Sequence, residues 1–375
     1  MAHAYTPGLK VTSRIRHRVR RLLPISGDVV VNVGDRVNAR DIVAQTFMPG
    51  EVTPLNLANA LNMPPADVVA CMLKKEGERV DVGDALARTP GIFGLFKSEY
   101  KSKAAGTIES ISPVTGQVII RGESIPVQVR AFLTGEIVEV IPREGVVVES
   151  DVSYIQGIFG IGGETYGPVR MACRDHAEEL LPEHIHSDMR GAIVIGGARM
   201  SGEAIRKAIQ VGVAALVSGG MDDQDLREIL GYDLGVAVTG SEQIGVTLVL
   251  TEGFGEIAMA ERTFKLLASR QGDDAACNGA TQIRAGVMRP EIVIPLSPEV
   301  RDREAEPRHS DGMLQVGTPV RVIRDPHFGL IGTVQELPSE PHALESGSRA
   351  RVLRVRFDSG ESIVVPRANV EIIGV

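Results

Sequence analysis

The sequence predicts a multidomain α+β protein. It is β-rich at its N-terminal end, α/β with a mainly parallel sheet in the middle, and built of short strands again at its C-terminal end. Three observations carry this expectation. A twelve-residue motif is written twice, as VGDRVNARDIVA at 33–44 and EGERVDVGDALA at 76–87. Between 191 and 268 the hydrophobic period switches to alternating strands and helices. After a polar, aperiodic stretch at 297–314, read as a linker, period-two patterning returns over 315–375.

The chain has 375 residues, enough for several domains, and at 43% hydrophobic and 23% charged it has the composition of a globular protein. Aromatics make up 4% and Trp is absent, so Val, Ile, Leu and Ala must build the core. No apolar run approaches the roughly 18 residues of a membrane span, so no membrane partner is expected. The opening MAHAYTPGLK has no apolar segment of the signal-peptide kind, and Cys71, Cys173 and Cys277 are too few and scattered for a disulfide framework. A cytoplasmic location is the expectation that follows.

The net charge of −8 is unevenly spread. Lys10, Arg14, Arg16, Arg18, Arg20 and Arg21 form a basic arm with no acid among residues 1–22, whereas residues 151–300 hold 21 acids against 12 bases. A broad nucleic-acid surface needs a basic stripe, and only this short arm supplies one. It reads either as a solvated edge or as a contact to an anionic partner.

Residues 12–150 read as a β domain. DVVVNV, GTIESI, GQVIIRG, IPVQVRAF and GEIVEVI are short, rich in Val and Ile, and closed by Gly, Asp or Pro. A helical insert at 55–75 interrupts them, with Pro64-Pro65 at a helix start and Cys71 packed on its apolar face. In each copy of the repeated motif, Gly34 or Gly77 suits a positive φ, and Asp35 or Glu78 suits hydrogen bonds to nearby backbone N–H groups. Val37, Val43, Val80 and Leu86 are then expected to face one shared core of a pseudo-symmetric β-sandwich.

The segments VGDRVNARDIVA, EGERVDVGDALA and SPVTGQVI resemble the biotinyl/lipoyl-carrier family, over roughly residues 24–145. That resemblance implies a barrel-sandwich hybrid fold. The carrier's lysine tripeptide is missing. Lys97 and Lys101 stand near the expected place in the wrong context, so the module is expected to pack or dock rather than carry a cofactor.

Residues 151–296 read as the central α/β domain. GAIVIGG and AALVSGG are buried strands that end in glycines, and each runs into a helix. Ser201 suits the N-cap of the first helix and Gly212 its C-terminal end. Open parallel sheets bind ligands at the carboxyl ends of their strands, and helix N-termini attract anions. Gly196, Gly197, Arg199, Ser201, Gly219 and Gly220 are therefore the candidate site for a small anionic ligand. The stretch GAIVIGGARMSGEAIRKAIQVGVAALVSGGMDDQDL resembles the DRTGG domain family over about 80 residues. That resemblance implies a sensing or interaction module. GIFGIGGETYG at 157–167 lacks the context of a phosphate loop and reads as a turn. Cys173, His176, His184 and His186 have irregular spacing for zinc. No metal, no cofactor and no catalytic constellation is expected, so the chain is read as a non-enzyme.

VGTPVRVIRDPHFGLIGTV and VRFDSGESIVVPRANVEII resemble the KOW motif, over 315–375. The resemblance implies an SH3-like barrel that binds RNA or protein, with Asp325, His327, Phe328, Gly329 and Gly332 in its loop. Phe328 is a candidate for base stacking. Arg349, Arg351, Arg354 and Arg356 alternate and are expected on one strand face, as a contact to nucleic acid or to a protein partner. The leading functional expectation is an adaptor or regulatory factor on a larger, RNA-containing assembly. The alternatives are an anion sensor and a non-catalytic subunit of a carrier-dependent enzyme.

Overall fold

The computed structural model describes residues 9–90, 98–231, 242–281, 288–303, 314–322, 327, 330–343, 349–357 and 360–372. The fold is mixed α+β and strand-rich, with one large mixed sheet and a smaller curled one. No helix among the described residues is long and apolar enough to cross a membrane.

The large sheet has eleven strands. At its centre Glu164–Met171, Ile193–Ile195, Ala215–Met221 and Thr247–Phe254 pair in parallel, in that order. Helix Gly202–Val211 lies on the crossover from Ile193–Ile195 to Ala215–Met221, and Asp223–Leu230 on the one from there to Thr247–Phe254. Ser201 caps the first by accepting a hydrogen bond from the Ala204 N–H, and Gly212 ends it at φ 80°, as its sequence predicts. Ala204, Ile205 and Ala208 bury one face of that helix against the strands.

The sheet as a whole is mixed, which corrects the expectation of a mainly parallel one. Phe159–Ile161 lies antiparallel on one side of the parallel block. On the other side Asp274–Asn278 and Glu291–Pro295 run antiparallel to their neighbours. Asp274–Asn278 and Glu291–Pro295 also pair antiparallel with each other. The sheet then continues into the N-terminal region through Gly145–Gln156, so the expected boundary at 150/151 falls inside a single strand.

Gly145–Gln156 organises this half of the molecule. One edge is shared by Gly135–Ile141 and Glu291–Pro295. Along the other edge runs the basic arm, as the strand Val11–Leu22. Arg14 and Arg16 lie against Asp151, Arg18 against Glu149, and Arg21 against Glu164. Four of the arm's six basic side chains thus meet a carboxylate, three of them across the strand pair.

The repeated motif builds the same turn twice. Gly34 and Gly77 have φ of 91° and 85°. Each donates its N–H to an isoleucine carbonyl, of Ile137 and Ile108 respectively, at 2.8 Å in both cases. Carboxylates close the turns by accepting a backbone N–H three residues back. Asp35 accepts from Asn32 and Asp41 from Asn38 at 2.7 Å, Glu78 from Lys75 at 3.1 Å and Asp84 from Asp81 at 3.2 Å.

The two copies do not share a core, contrary to expectation. Val37 and Val43 pack with Phe132, Leu133, Ile137 and Val148. Val80 and Leu86 pack with Leu57, Ile108, Val118 and Ile120. The first copy pairs with Gly135–Ile141 and the second with Gly106–Ile111, and each strand brings its own apolar neighbours. The helical insert is also divided. Leu57–Leu61 ends at Asn62, φ 51°, and Val68–Cys71 starts anew after Pro65–Asp67.

Pro298–Arg303 is a short helix at the start of the expected linker. Beyond it, Pro319–Val322, Ile331–Glu336, Val352–Phe357, Ser362–Pro366 and Val370–Ile372 form the curled five-stranded sheet. Val320, Val322, Val334, Leu353, Val355 and Phe357 fill its core.

Candidate functional site

The parallel strands bring the six residues of the central candidate site together. Beyond Ile195 and Ser218 the two glycine segments stay paired. The Gly219 N–H donates to the Gly197 carbonyl at 2.9 Å, and the Met200 N–H to the Gly220 carbonyl at 2.9 Å. The glycines are required by neighbouring protein. A Cβ on Gly197 would collide with the Asp175 and Glu178 carbonyls, one on Gly219 with the Ile257 carbonyl and the Met259 nitrogen, and one on Gly220 with the Gly255 carbonyl.

The donors an anion would use at this place already have partners. Ser201 caps its own helix, and the Gly202 N–H donates to Asp225 Oδ2 at 3.0 Å. Arg199 donates through Nε to Glu179 Oε1 at 2.9 Å and through Nη1 to Asp222, with Glu256 at 3.9 Å. The hydrogen bond that Arg199 donates to Glu179 leads in raising the Arg199 pKa further above its ordinary value. One guanidinium thus sits among three carboxylates. This arrangement ties the strand ends together, and its electrostatics favour cations over anions.

The neighbouring Cys and His residues are spread over separate partners. Cys173 is buried with its thiol directed at the Glu179 carbonyl, and burial pushes its pKa up to about 12. His176 Nδ1 lies 2.8 Å from the Met259 carbonyl, and His184 Nε2 lies 3.5 Å from Glu178. Among the described residues no three metal-ligating side chains converge.

In the C-terminal sheet, Phe328 lies outside the described residues, as do Asp325 and Gly329. Arg354 and Arg356 project from Val352–Phe357, alternating with buried Leu353, Val355 and Phe357. Arg354 Nε donates to Glu336 Oε2 at 3.2 Å, and Arg356 is exposed. Arg349 belongs to a separate short strand, Arg349–Ala350, paired with His342–Ala343. The expectation that all four arginines share one strand face is therefore corrected. Val352 and Leu353 are both buried, so the alternation breaks between Arg351 and Arg354. Of the candidate lysines, Lys101 is exposed on Glu99–Lys101 and Lys97 lies outside the described residues.

A third place emerges only from the fold. Arg20, Arg21 and Leu22 of the basic arm, Gln128, Val129 and Arg130 of Ile125–Arg130, and Glu164 and Tyr166 of Glu164–Met171 line a cleft of about 700 Å³. Arg21 binds Glu164 with both terminal nitrogens, at 2.6 and 2.7 Å, and donates through Nε to the Arg130 carbonyl at 2.6 Å. The arm is legible in the sequence, whereas the roles of Gln128, Arg130 and Tyr166 are not. Arg130 lies 109 residues beyond Arg21, and no spacing rule joins them.

No protein-family model matches the chain, and no curated protein matches it.

Proposed function

We propose that the chain is a non-catalytic adaptor or regulatory factor that docks on a larger assembly of the transcription or translation machinery, through a KOW-like C-terminal barrel. The observation that carries this reading is the division of labour on Val352–Phe357. Leu353, Val355 and Phe357 close the core while Arg354 and Arg356 point outward. Among the described residues Arg354 is engaged by an exposed pair with Glu336, and pairs of that kind contribute on the order of 0.2–1 kcal/mol. A phosphate or acidic side chain can displace Glu336 at little cost.

In this reading, residues 12–150 are a barrel-sandwich-hybrid-like module without a carrier lysine, and residues 151–296 a DRTGG-like module. The twice-built turn supports the first assignment, and the strand–helix succession from Ile193 to Phe254 supports the second. Both serve as a rigid body that displays the barrel.

The test is co-purification of the tagged chain from its own cells at low salt, with and without RNase. Recovery of ribosomal or polymerase subunits, lost in Arg354→Glu/Arg356→Glu, is the expected result. Equal recovery with the double variant would remove the barrel from the docking surface. Loss on RNase treatment identifies RNA as the tether.

A further inference from the structure

We infer that the cleft between the basic arm and the strands Ile125–Arg130 and Glu164–Met171 is a binding site for a small phosphorylated molecule. The site is separate from the C-terminal barrel and from the Gly196–Ser201 segment.

The first ground is a charge asymmetry along one strand. Arg14, Arg16 and Arg18 each meet Asp151 or Glu149 across the strand pair. Arg20 does not. Arg20 and Arg130 are exposed, line the same cleft, and make no ion pair among the described residues. The one lining carboxylate, Glu164, is already held by Arg21 and by the Tyr166 hydroxyl, which lies 3.3 Å from it. Three guanidinium groups therefore face one carboxylate, and two of the three have no acid to answer them.

The second ground is preorganisation. Arg21 is fixed by three hydrogen bonds, and its guanidinium carbon stands 5.5 Å from the Phe132 ring centroid. A guanidinium has five N–H donors in a rigid fork, so two remain for a ligand after these three. Tyr166 is braced likewise by Arg40, which lies over its ring at 5.8 Å and donates to its carbonyl at 3.2 Å. Burial, followed by the Glu164 charge, pushes the Tyr166 pKa up to about 12, so the hydroxyl stays protonated at neutral pH.

Size and wall chemistry set the ligand class. About 700 Å³ exceeds what a bare oxyanion fills and lies within the roughly 300–1,000 Å³ typical of small-ligand sites. Guanidinium forks match phosphate oxygens geometrically, and Leu22 and Val129 offer apolar wall to an organic substituent. A nucleic-acid strand is the poorer fit. Such strands stack bases on open aromatic faces, and Tyr166, the only aromatic lining residue, is covered by Arg40.

The test is calorimetric titration of the full chain at constant ionic strength, with pyrophosphate and with phenyl phosphate as probes. Arg20→Gln and Arg130→Gln are the test variants. Arg18→Gln, outside the cleft on the same strand, is the control, and unfolding midpoints of all variants confirm that they fold. The expected result is saturable one-to-one binding, weakened at least tenfold in each test variant and unchanged in the control. Absence of saturable binding, or equal weakening by Arg18→Gln, overturns the inference. So does a single-stranded oligonucleotide that binds through Arg20 and Arg130 while neither phosphate probe competes.

Discussion

Arg321 Nη1 lies 3.4 Å from Glu252 Oε1, with the two side chains only 9% and 3% exposed. The pair joins the first strand of the C-terminal sheet to the end of Thr247–Phe254 in the large sheet. Glu252 also accepts the Ala260 N–H at 3.0 Å, just ahead of the helix Glu261–Ser269. One carboxylate thereby links a strand end, a helix start and the C-terminal sheet. Removing one partner of a buried ion pair costs up to about 3–5 kcal/mol. Arg321→Met is expected to lose that much in urea unfolding, whereas Arg321→Met/Glu252→Gln recovers part of it. A loss under 1 kcal/mol for the single variant would mean that the C-terminal sheet is not held through this contact.

The repeated turns make a second, additive prediction. Asp41 and Asp84 each accept a backbone N–H three residues earlier, in turns that feed separate cores. Loss of such a bond costs about 1 kcal/mol. Asp41→Ala and Asp84→Ala are each expected to lower stability by about that amount, and the double variant by the sum, since distant sites with no shared partners add. A coupling above about 0.5 kcal/mol in the double-mutant cycle would show that the halves act as one unit.

The local rules were legible in the sequence, and the long-range ones were not. Gly34, Gly77, Ser201 and Gly212 have the backbone roles that their residue types imply, because a positive φ or a helix cap is decided within a few residues. The chemistry at Arg199 was not legible, because Glu179 lies 20 residues before it and Asp222 23 residues after. The same holds for Val37 and Val80. Their patterning shows that both are buried, but the choice between one core and two is made by the partners Gly135 and Gly106, which no periodicity identifies. The basic arm shows the limit most clearly. Its composition points to an anionic partner, and the fold sets four of its six cations against the protein's own Glu149, Asp151 and Glu164.

The glycines at the strand ends separate steric need from conformational need. A Cβ on Gly219 meets backbone atoms of Ile257 and Met259, whereas one on Gly34 has open space at a φ of 91°. Overpacking against backbone costs about 1–3 kcal/mol or more, and a left-handed non-glycine residue about 1–2 kcal/mol. Gly219→Ala is expected to be the more damaging, by thermal or urea unfolding, and to loosen the Arg199 region to proteolysis. Gly34→Ala is expected to leave proteolysis unchanged. A milder effect at Gly219 would show that the segment Gly255–Met259 can retreat from it.

Stability is expected to fall with rising pH through one buried carboxylate. Glu291 is pushed above its usual pKa by burial first and by the Glu164 charge, while the Tyr154 hydroxyl hydrogen bond at 2.7 Å and Arg21 pull it back. A carboxyl group with a raised folded-state pKa binds more protons folded than unfolded. Its contribution is therefore complete below the ordinary carboxylate pKa of about 4.3, and is lost as pH climbs through the raised value. Glu291→Gln keeps an acceptor for Tyr154 and removes the charge, so it should flatten this part of the pH profile and raise stability at neutral pH. Tyr154→Phe should do the opposite. It removes the hydrogen bond that favours the charged form, steepens the fall, and costs about 1–3 kcal/mol at neutral pH by leaving a buried acceptor unmet. Urea midpoints between pH 4 and pH 8 for the three proteins read this directly. Parallel profiles for the wild type and Glu291→Gln would assign the pH dependence to another group.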